Sequence, residues 1–348
     1  MGIESSCDET AVAIVEGETD ILSDVVASQN EIHNRYGGVV PELASRRHME
    51  VIVSVAEEAL ARARVAPQEL DAIAVTCGPG LIGSLLVGLS FAKGLAYGWG
   101  KPLLGVNHLE GHLLSIFLEQ ELAFPYLGLV ASGGHTSLYL VNGFGEYELL
   151  GATLDDAVGE AFDKVAKLLG LGYPGGAIID RLAKDGDPAA IEFPRASLSG
   201  NALNFSFSGV KTAVAYFVRR LKPEELATRL ADLVAGFQEA AVDMLLERAR
   251  LAACKLGLRR VVICGGVASN SRLRRRFKEE LGLLNKEVFF PSPSHCTDNG
   301  AMIAHAGLRR LIKGESSSLA LDAQSSLPLG GRASGIFSWG SPRPSQNK

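Results

Sequence analysis

Residues 2–16 read GIESSCDETAVAIVE, the pattern of two strands, 2–4 and 11–16, joined by a polar turn. A third strand is expected over 20–28. Pro41 then opens a helix, an allowed first-turn position, in which Ala44, Val51, Ile52, Val55, Ala59 and Leu60 fall at helical spacing. Next come a strand at 71–76, a Gly-Pro-Gly turn, a buried-looking helix at 84–97, and a strand at 103–106 leading into a helix near Asn107. The pattern restarts at Tyr126 with YLGLVA, a Gly-Gly turn, a strand at 136–141 and a helix at 155–169 stopped by Gly170. Two strands around a turn and then helices is how the chain began, so an internal duplication is expected. The fold class is α/β in two lobes, each a mixed sheet with helices, and ligands in such folds are held by loops beyond strand ends.

Farther along, residues 185–208 are irregular and rich in Pro, Ser, Asn and Gly, which predicts an inserted surface loop. Residues 238–256 predict a long amphipathic helix, 260–264 a strand, 270–281 a basic helix and 298–312 another. The expected division is an N-terminal lobe at 1–118, a C-terminal lobe at 119–297, a closing helix at 298–313, and a polar tail at 314–348 that is largely disordered.

At 348 residues with 47% apolar and 21% charged side chains, the chain has the balance of a globular protein of two ordinary domains. Its longest apolar stretches, 81–92 and 127–132, fall short of the roughly 20 residues of a membrane-spanning helix. Strand-like sequence begins right after Met1, where a secretory or organelle leader would be basic and apolar, so the expected address is the cytoplasm. The five cysteines form no C-x-x-C pair and read as reduced thiols. A net charge of -5 gives no global pull toward polyanions, so contact with nucleic acid must come from local basic patches or from a partner.

Three strand ends carry tight turns of glycine, hydroxyl or short polar residues: 4–10 (ESSCDET), 132–136 (SGGHT) and 265–270 (GGVASN). Glycine lets backbone N–H groups face a phosphate with no Cβ in the way. One such turn is weak; three at strand ends point to a nucleotide or phosphate site. None matches the P-loop or the full dinucleotide fingerprint.

In His108-Leu109-Glu110-Gly111-His112 the two histidines lie on one helix face, with Cβ atoms about 6 Å apart, close enough to share an ion. Two partly buried polar residues would look the same. Glu110 is about 200° around the helix from His108, unlike the glutamate of H-E-x-x-H metallopeptidases, and so points away from a shared metal. The best candidate for a third ligand is Asp298 in Cys296-Thr297-Asp298-Asn299-Gly300, which opens a helix and could equally be its N-cap. Two histidines and one carboxylate leave open positions and suit iron(II) or zinc.

Taken together, GIESSCDET, VPELASRRH, NHLEGH, ASGGHT, DDAVGEAFDK, YPGG, FSFSGVKTA, GGVASN and CTDNGAMIA resemble the TsaD family of tRNA adenosine threonylcarbamoyltransferases, from Gly2 to about Leu311. The resemblance implies the two-lobed fold of actin, sugar kinases and DnaK-type chaperones, with the site in the cleft. It implies transfer of threonylcarbamoyl from threonylcarbamoyl-AMP to N6 of the adenosine 3′ to the anticodon, in tRNAs reading codons that begin with A. Carried over by motif, His108, His112 and Asp298 are metal ligands, for one divalent ion per subunit: iron(II) first, zinc or magnesium as alternatives. Val130, Ala131, Ser132, Gly133, Gly134, Asp163, Gly176, Asp180 and Asn270 are nucleotide and substrate contacts. Asp8 and Glu9 are active-site acids and the preferred proton acceptors, with His135 as rival. The implied partners are tRNA, a TsaB-like paralogue docking near the helix opened by Pro41, and a TsaE-like ATPase; no membrane is involved. Relatives carry a few apolar residues ahead of the GIE strand, so a short first strand is expected here.

Basic clusters at Arg46-Arg47-His48, at Arg219, Arg220 and Lys222, and from Arg272 through Lys278 are candidate phosphate grips, although each reads more readily as an ordinary solvated helix face. Two further functional classes stay in view. One is a metallopeptidase, opposed by the placement of Glu110; the other is a noncatalytic ATP-binding scaffold, opposed by the intact His108, His112 and Asp298 set.

Overall fold

The computed structural model of the protein describes residues 1–196 and 200–329. The first sheet holds β1 (Gly2–Glu4), β2 (Glu9–Glu16), β3 (Asp20–Ser28), β4 (Ile73–Gly78) and β5 (Leu103–Asn107) in the order β3-β2-β1-β4-β5. Its helices are α1 (Asn30–Asn34), α2 (Pro41–Ala63), α3 (Ile82–Trp99) and α4 (His108–Leu114). The second sheet holds β6 (Tyr126–Ala131), β7 (Thr136–Gly143), β8 (Glu146–Ala152), β9 (Arg260–Cys264) and β10 (Glu287–Phe289) in the order β10-β9-β6-β7-β8. With it go α5 (Val158–Leu168), α6 (Gly175–Leu182), α7 (Ser208–Val218), α8 (Pro223–Lys255), α9 (Ser271–Gly282) and α10 (Pro293–Cys296), and α11 (Gly300–Ile312) follows.

The two sheets have one topology. In each, the first strand is central, antiparallel to the strand after it and parallel to a strand from later in the sequence. This is the duplication the strand-turn-strand pattern predicts. The turns between β1 and β2 and between β6 and β7 therefore occupy equivalent corners, beyond the ends of central strands.

Although last in sequence, α11 packs on the first sheet. A Cβ on Gly2 would lie 2.3 Å from the Ala304 nitrogen, and one on Gly300 would lie 2.5 Å from the Ala13 nitrogen, so only glycine permits this approach. The β1 strand is as short as expected, and all three of its residues are buried.

Four expectations need correction. Helix α8 begins at Pro223, not near 238: Pro at the first turn and Glu225, whose carboxylate accepts from the Lys222 N–H, start it early, and Leu226 and Leu230 extend its apolar face. The helix at 155–169 begins only at Val158, because Asp155 is occupied with the start of α7, accepting from the N–H groups of Phe207 and Ser208. Residues 185–208 are not simply a surface loop, since Ile191, Phe193, Phe205 and Phe207 are buried in the second lobe's core. Finally, residues 314–329 are ordered. Ser317 bridges to Leu103, the Gln324 N–H donates to the Cys77 carbonyl, and Leu321 and Ala323 join the first core. The apolar side chains alternate along an extended segment, a signal that low complexity masked. The rest of the expected tail lies outside the described residues.

Leu321→Ala should therefore lower the unfolding free energy by about 2–3 kcal/mol, read as a lower urea midpoint at unchanged slope. A wild-type midpoint would show that this segment does not hold the first lobe's core.

Candidate metal centre and nucleotide cleft

Strand β5 ends in Asn107, whose side chain accepts from the Leu109 N–H and starts α4 at the sheet edge. That start places His108 and His112 on one face, with ring centroids 4.7 Å apart and planes at 79°. At the head of α11 the cap is Asn299, which accepts from the Met302 N–H. Asp298, one residue earlier, is thereby released from capping, and its Oδ1 lies 3.1 Å from His112 Nε2 and 3.6 Å from His108 Nε2. The three donor atoms lie within 4.8 Å of one another.

His112 is 0% exposed, yet neither of its ring nitrogens has a hydrogen-bond partner among the described residues; the Asp298 contact lacks the alignment of one. An imidazole buried this way is costly unless something coordinates it. Two histidines and a carboxylate converging on a shared point fit a divalent cation, with positions left open. Burial opposes the charged form of Asp298, but the facing His108 and His112 outweigh it and hold its pKa below the carboxylate range. Burial likewise opposes protonation of His108, and Asp298 and Glu4 overcome it, lifting that imidazole to about 9.

Glu110 points away from this centre, as its spacing requires. Its carboxylate accepts from Arg310 Nη2 at 2.6 Å and from Tyr147 Oη at 3.0 Å, tying α4 to α11 and to β8. The contact fixes the helix that carries the histidines against the helix that follows Asp298. Glu4, which the sequence reading passed over, places Oε2 3.0 Å from His108 Nδ1. An acid next to Ile3 inside a buried strand was the available signal.

Of the candidate acids and bases, Asp8 accepts from Tyr173 Oη at 3.0 Å, and Glu9 accepts from Ser28 Oγ at 3.2 Å. Burial, then the charges of Asp8 and Asp298, pushes the Glu9 carboxyl well above its usual range. The His135 ring centroid lies 6.4 Å from that of His108. Burial, reinforced by His108 and His112, lowers His135 to about 4.

The predicted nucleotide residues fall in the second lobe. Val130 and Ala131 end β6, buried, and the Ser132 N–H donates to the His135 carbonyl to close the turn. Gly133 and Gly134 are exposed with open space where a Cβ would be. Asp163 accepts from the Gly175 N–H at 2.8 Å, next to Gly176; burial, with Asp8 adding its charge, pushes that carboxyl up to about 6. Asp180 accepts from the Ser271 N–H and hydroxyl, at 3.2 and 2.9 Å. Asn270 caps α9 through its Oδ1 and donates from Nδ2 to Gln238, so its side chain is already engaged in holding α8 and α9 together. Hydrogen bonds that join this lobe to the first include Tyr173 N–H to Asn34 Oδ1, Tyr173 Oη to Asp8, and Lys167 Nζ to the Tyr36 carbonyl.

The basic clusters do not all remain available. His48 is buried, bonded to Thr10 Oγ1 and to the Cys7 carbonyl beneath the β1–β2 turn. Arg272 and Arg276 pair with Glu239, and Arg274 donates to the Ala268 and Pro291 carbonyls, so most of the 272–278 run is consumed internally. Arg46 and Arg47 pair with Glu42 and Glu50 on an open helix face, and Arg219, Arg220 and Lys222 are exposed.

Comparison with known proteins agrees with this geometry. Residues 20–305 match the family TsaD, tRNA N6-adenosine threonylcarbamoyltransferase. A tRNA N6-adenosine threonylcarbamoyltransferase of Anaeromyxobacter dehalogenans strain 2CP-1 is 58% identical over 328 residues, 93% of this chain and 97% of the relative. One of Syntrophotalea carbinolica is 53% identical over 327 residues, 94% of this chain and 96% of the relative. Among solved structures, full-length HypF in a phosphate- and nucleotide-bound form aligns with TM-score 0.58 at 16% identity, over 89% of this chain and 47% of HypF, about half its length. The Clostridium difficile activator of 2-hydroxyisocaproyl-CoA dehydratase with bound ADPNP aligns with TM-score 0.52 at 14% identity, over 90% of this chain and 95% of the activator. These distant likenesses establish the fold, a two-lobed actin-like ATPase fold.

Asp298→Asn should weaken zinc or cobalt(II) binding by at least about 100-fold, measured by competition with a chelating dye. Wild-type affinity in that variant would exclude Asp298 from the centre.

Proposed function

The chain belongs to the TsaD family of tRNA N6-adenosine threonylcarbamoyltransferases and is an acyltransferase acting on tRNA; from that premise we propose that its donor is threonylcarbamoyl-AMP and its acceptor N6 of the adenosine 3′ to the anticodon, in tRNAs reading codons that begin with A. The observation that carries this reading is the convergence of His108, His112 and Asp298, with the His135 ring, next to the open Gly133-Gly134 turn, 6.4 Å from that of His108.

In the reaction the N6 amine attacks the carbamoyl carbon, the bond from that carbon to the AMP phosphate oxygen breaks, and one proton leaves the amine. A divalent cation held by His108, His112 and Asp298, iron(II) first and zinc or magnesium next, supplies Lewis-acid polarisation of the carbamoyl or phosphate oxygens when bound. The backbone N–H groups around Gly133 and Gly134, at the end of Val130, Ala131 and Ser132, hold the phosphate. Asp163 accepts from ribose hydroxyls, and its raised carboxyl suits a place beside an anion. Gly176, with open space above its Cα, admits the nucleotide, while Asp180 and Asn270 fix the loops around it. Asp8 or Glu9 takes the amine's proton from the first lobe's edge of the cleft, with His135 as the rival acceptor.

An anticodon-loop adenosine is single-stranded and can be splayed into such a cleft. For protein partners we propose a TsaB-like paralogue and a TsaE-like ATPase. Support comes from Met49 and Val53 on α2 and Ile82 and Leu86 on α3, exposed apolar pairs at helical spacing near the Ser45–Gly83 crossing of the two helices. We place the protein in the cytoplasm, consistent with five free cysteines and with tRNA as substrate; no described helix is long and apolar enough to cross a membrane. We also propose the lobe boundary near residue 118, with 298–313 returning to the first lobe. A metallopeptidase reading loses Glu110 as its general base, because that carboxylate is bound to Arg310 and Tyr147.

Purified protein, its partners, threonine, bicarbonate, ATP and unmodified tRNA should yield threonylcarbamoyladenosine on nucleoside analysis. Asp8→Asn or Glu9→Gln should slow single-turnover transfer by about 100-fold or more, and His135→Ala by less than about 10-fold. The reverse order would move the proton-acceptor role to His135, and no product from wild type with all partners present would contradict the function.

A further inference from the structure

Glu4 is a carboxylate with 0% exposure in a three-residue strand. Burying a charge this completely demands partners. The parallel register of β1 on β4, Gly2 with Ala74 and Ile3 with Val75, brings Glu4 alongside Thr76; β4 on β5 pairs Thr76 with Val106, two residues before His108. The carboxylate accordingly accepts from the Ser6 N–H through Oε1, from Thr76 Oγ1 at 2.6 Å through Oε2, and from His108 Nδ1 at 3.0 Å through the same oxygen. No side chain from outside this strand-end cluster is bonded to it among the described residues.

An ionised carboxylate only accepts, so its contact with Nδ1 requires that Nδ1 carry a hydrogen. Ser6 Oγ, 3.2 Å from the same nitrogen, can donate or accept and so follows the state that Glu4 imposes. The remaining ring nitrogen, Nε2, is the one that faces Asp298. Among the described residues His112 has no comparable partner on its own Nδ1. One histidine of the pair is anchored from behind and the other is not.

Building on the reading of His108, His112 and Asp298 as a metal centre, we propose that Glu4 is a positioning residue, which holds the Nδ1 proton of His108 and so keeps the Nε2 lone pair and the ring plane directed at the cation. Replacing it by glutamine removes one acceptor oxygen. It also lets an amide N–H or the Ser6 hydroxyl donate into Nδ1, moving the ring proton to Nε2, where it bonds Asp298 and closes the centre.

The test uses the full chain with histidine labelled by nitrogen-15, metal-free and loaded with zinc, in wild type, Glu4→Gln, Thr76→Val and His108→Ala. Zinc-loaded wild type should show His108 coordinated through Nε2 with Nδ1 protonated. Glu4→Gln should bind zinc about 10–100-fold more weakly, while Thr76→Val, which keeps the acceptor for Nδ1, should lose less affinity than Glu4→Gln. If His108→Ala loses zinc while Glu4→Gln retains wild-type affinity, the proposal is overturned and the metal centre stands. If His108→Ala binds zinc as tightly as wild type, the metal-centre reading itself is overturned and the proposal falls with it. Should Glu4→Gln fail to fold, the zinc-loaded wild-type spectrum decides: coordination through Nδ1, or an unprotonated Nδ1, overturns the proposal, and coordination through Nε2 with Nδ1 protonated supports it.

Discussion

Glu4 and Asp298 set two carboxylates against the imidazoles of His108 and His112, at a point where the first strand, the head of α4 and the approach to α11 meet. Charges buried in this way are destabilising by several kcal/mol each unless compensated, so the cluster requires positive charge at its centre. The affinity of His108 for a proton, opposed by burial but lifted to about 9 by Asp298 and Glu4, reflects that requirement. Segments nearly 300 residues apart in sequence are consequently held in register by the same chemistry that prepares the site. The Glu110–Arg310 ion pair secures the arrangement from the opposite side of α4.

The duplicated sheet explains how the acidic turn of one lobe and the glycine turn of the other hold equivalent positions. The central strands β1 and β6 end in the turns at 4–10 and 132–136, one rich in acids and the other open at two glycines. The first sheet carries the carboxylates and the histidine helix, and the second carries the open glycine turn. Tyr173 crosses between them, its hydroxyl on Asp8 and its N–H on Asn34, so the loop ahead of α6 reports directly on the spacing of the two lobes.

The strand-turn-strand repeat, the histidine pair and Asp298 were legible because each is a local pattern or a short motif. What escaped was set by tertiary packing. Glu4 gains its meaning only from the register of β1 on β4, which no window of sequence reveals. The cap of α11 fell one residue later than a reading of Cys296-Thr297-Asp298-Asn299 suggests, since Asp and Asn cap comparably and only the pull of the histidines separates them. The arginines of α9 looked like a basic face because Glu239 and Asp243, their partners, lie on a different helix. Leu321 and Ala323 looked like tail until the groove that receives them was formed by Cys77, Leu103 and Gly105.

Anomalous diffraction from crystals grown with zinc or cobalt(II) tests the central claim most directly. The account predicts one metal peak per chain with His108 Nε2, His112 and Asp298 each at about 2.0–2.2 Å, and with His108 Nδ1 still bonded to Glu4. A peak elsewhere, or coordination through His108 Nδ1, would contradict it.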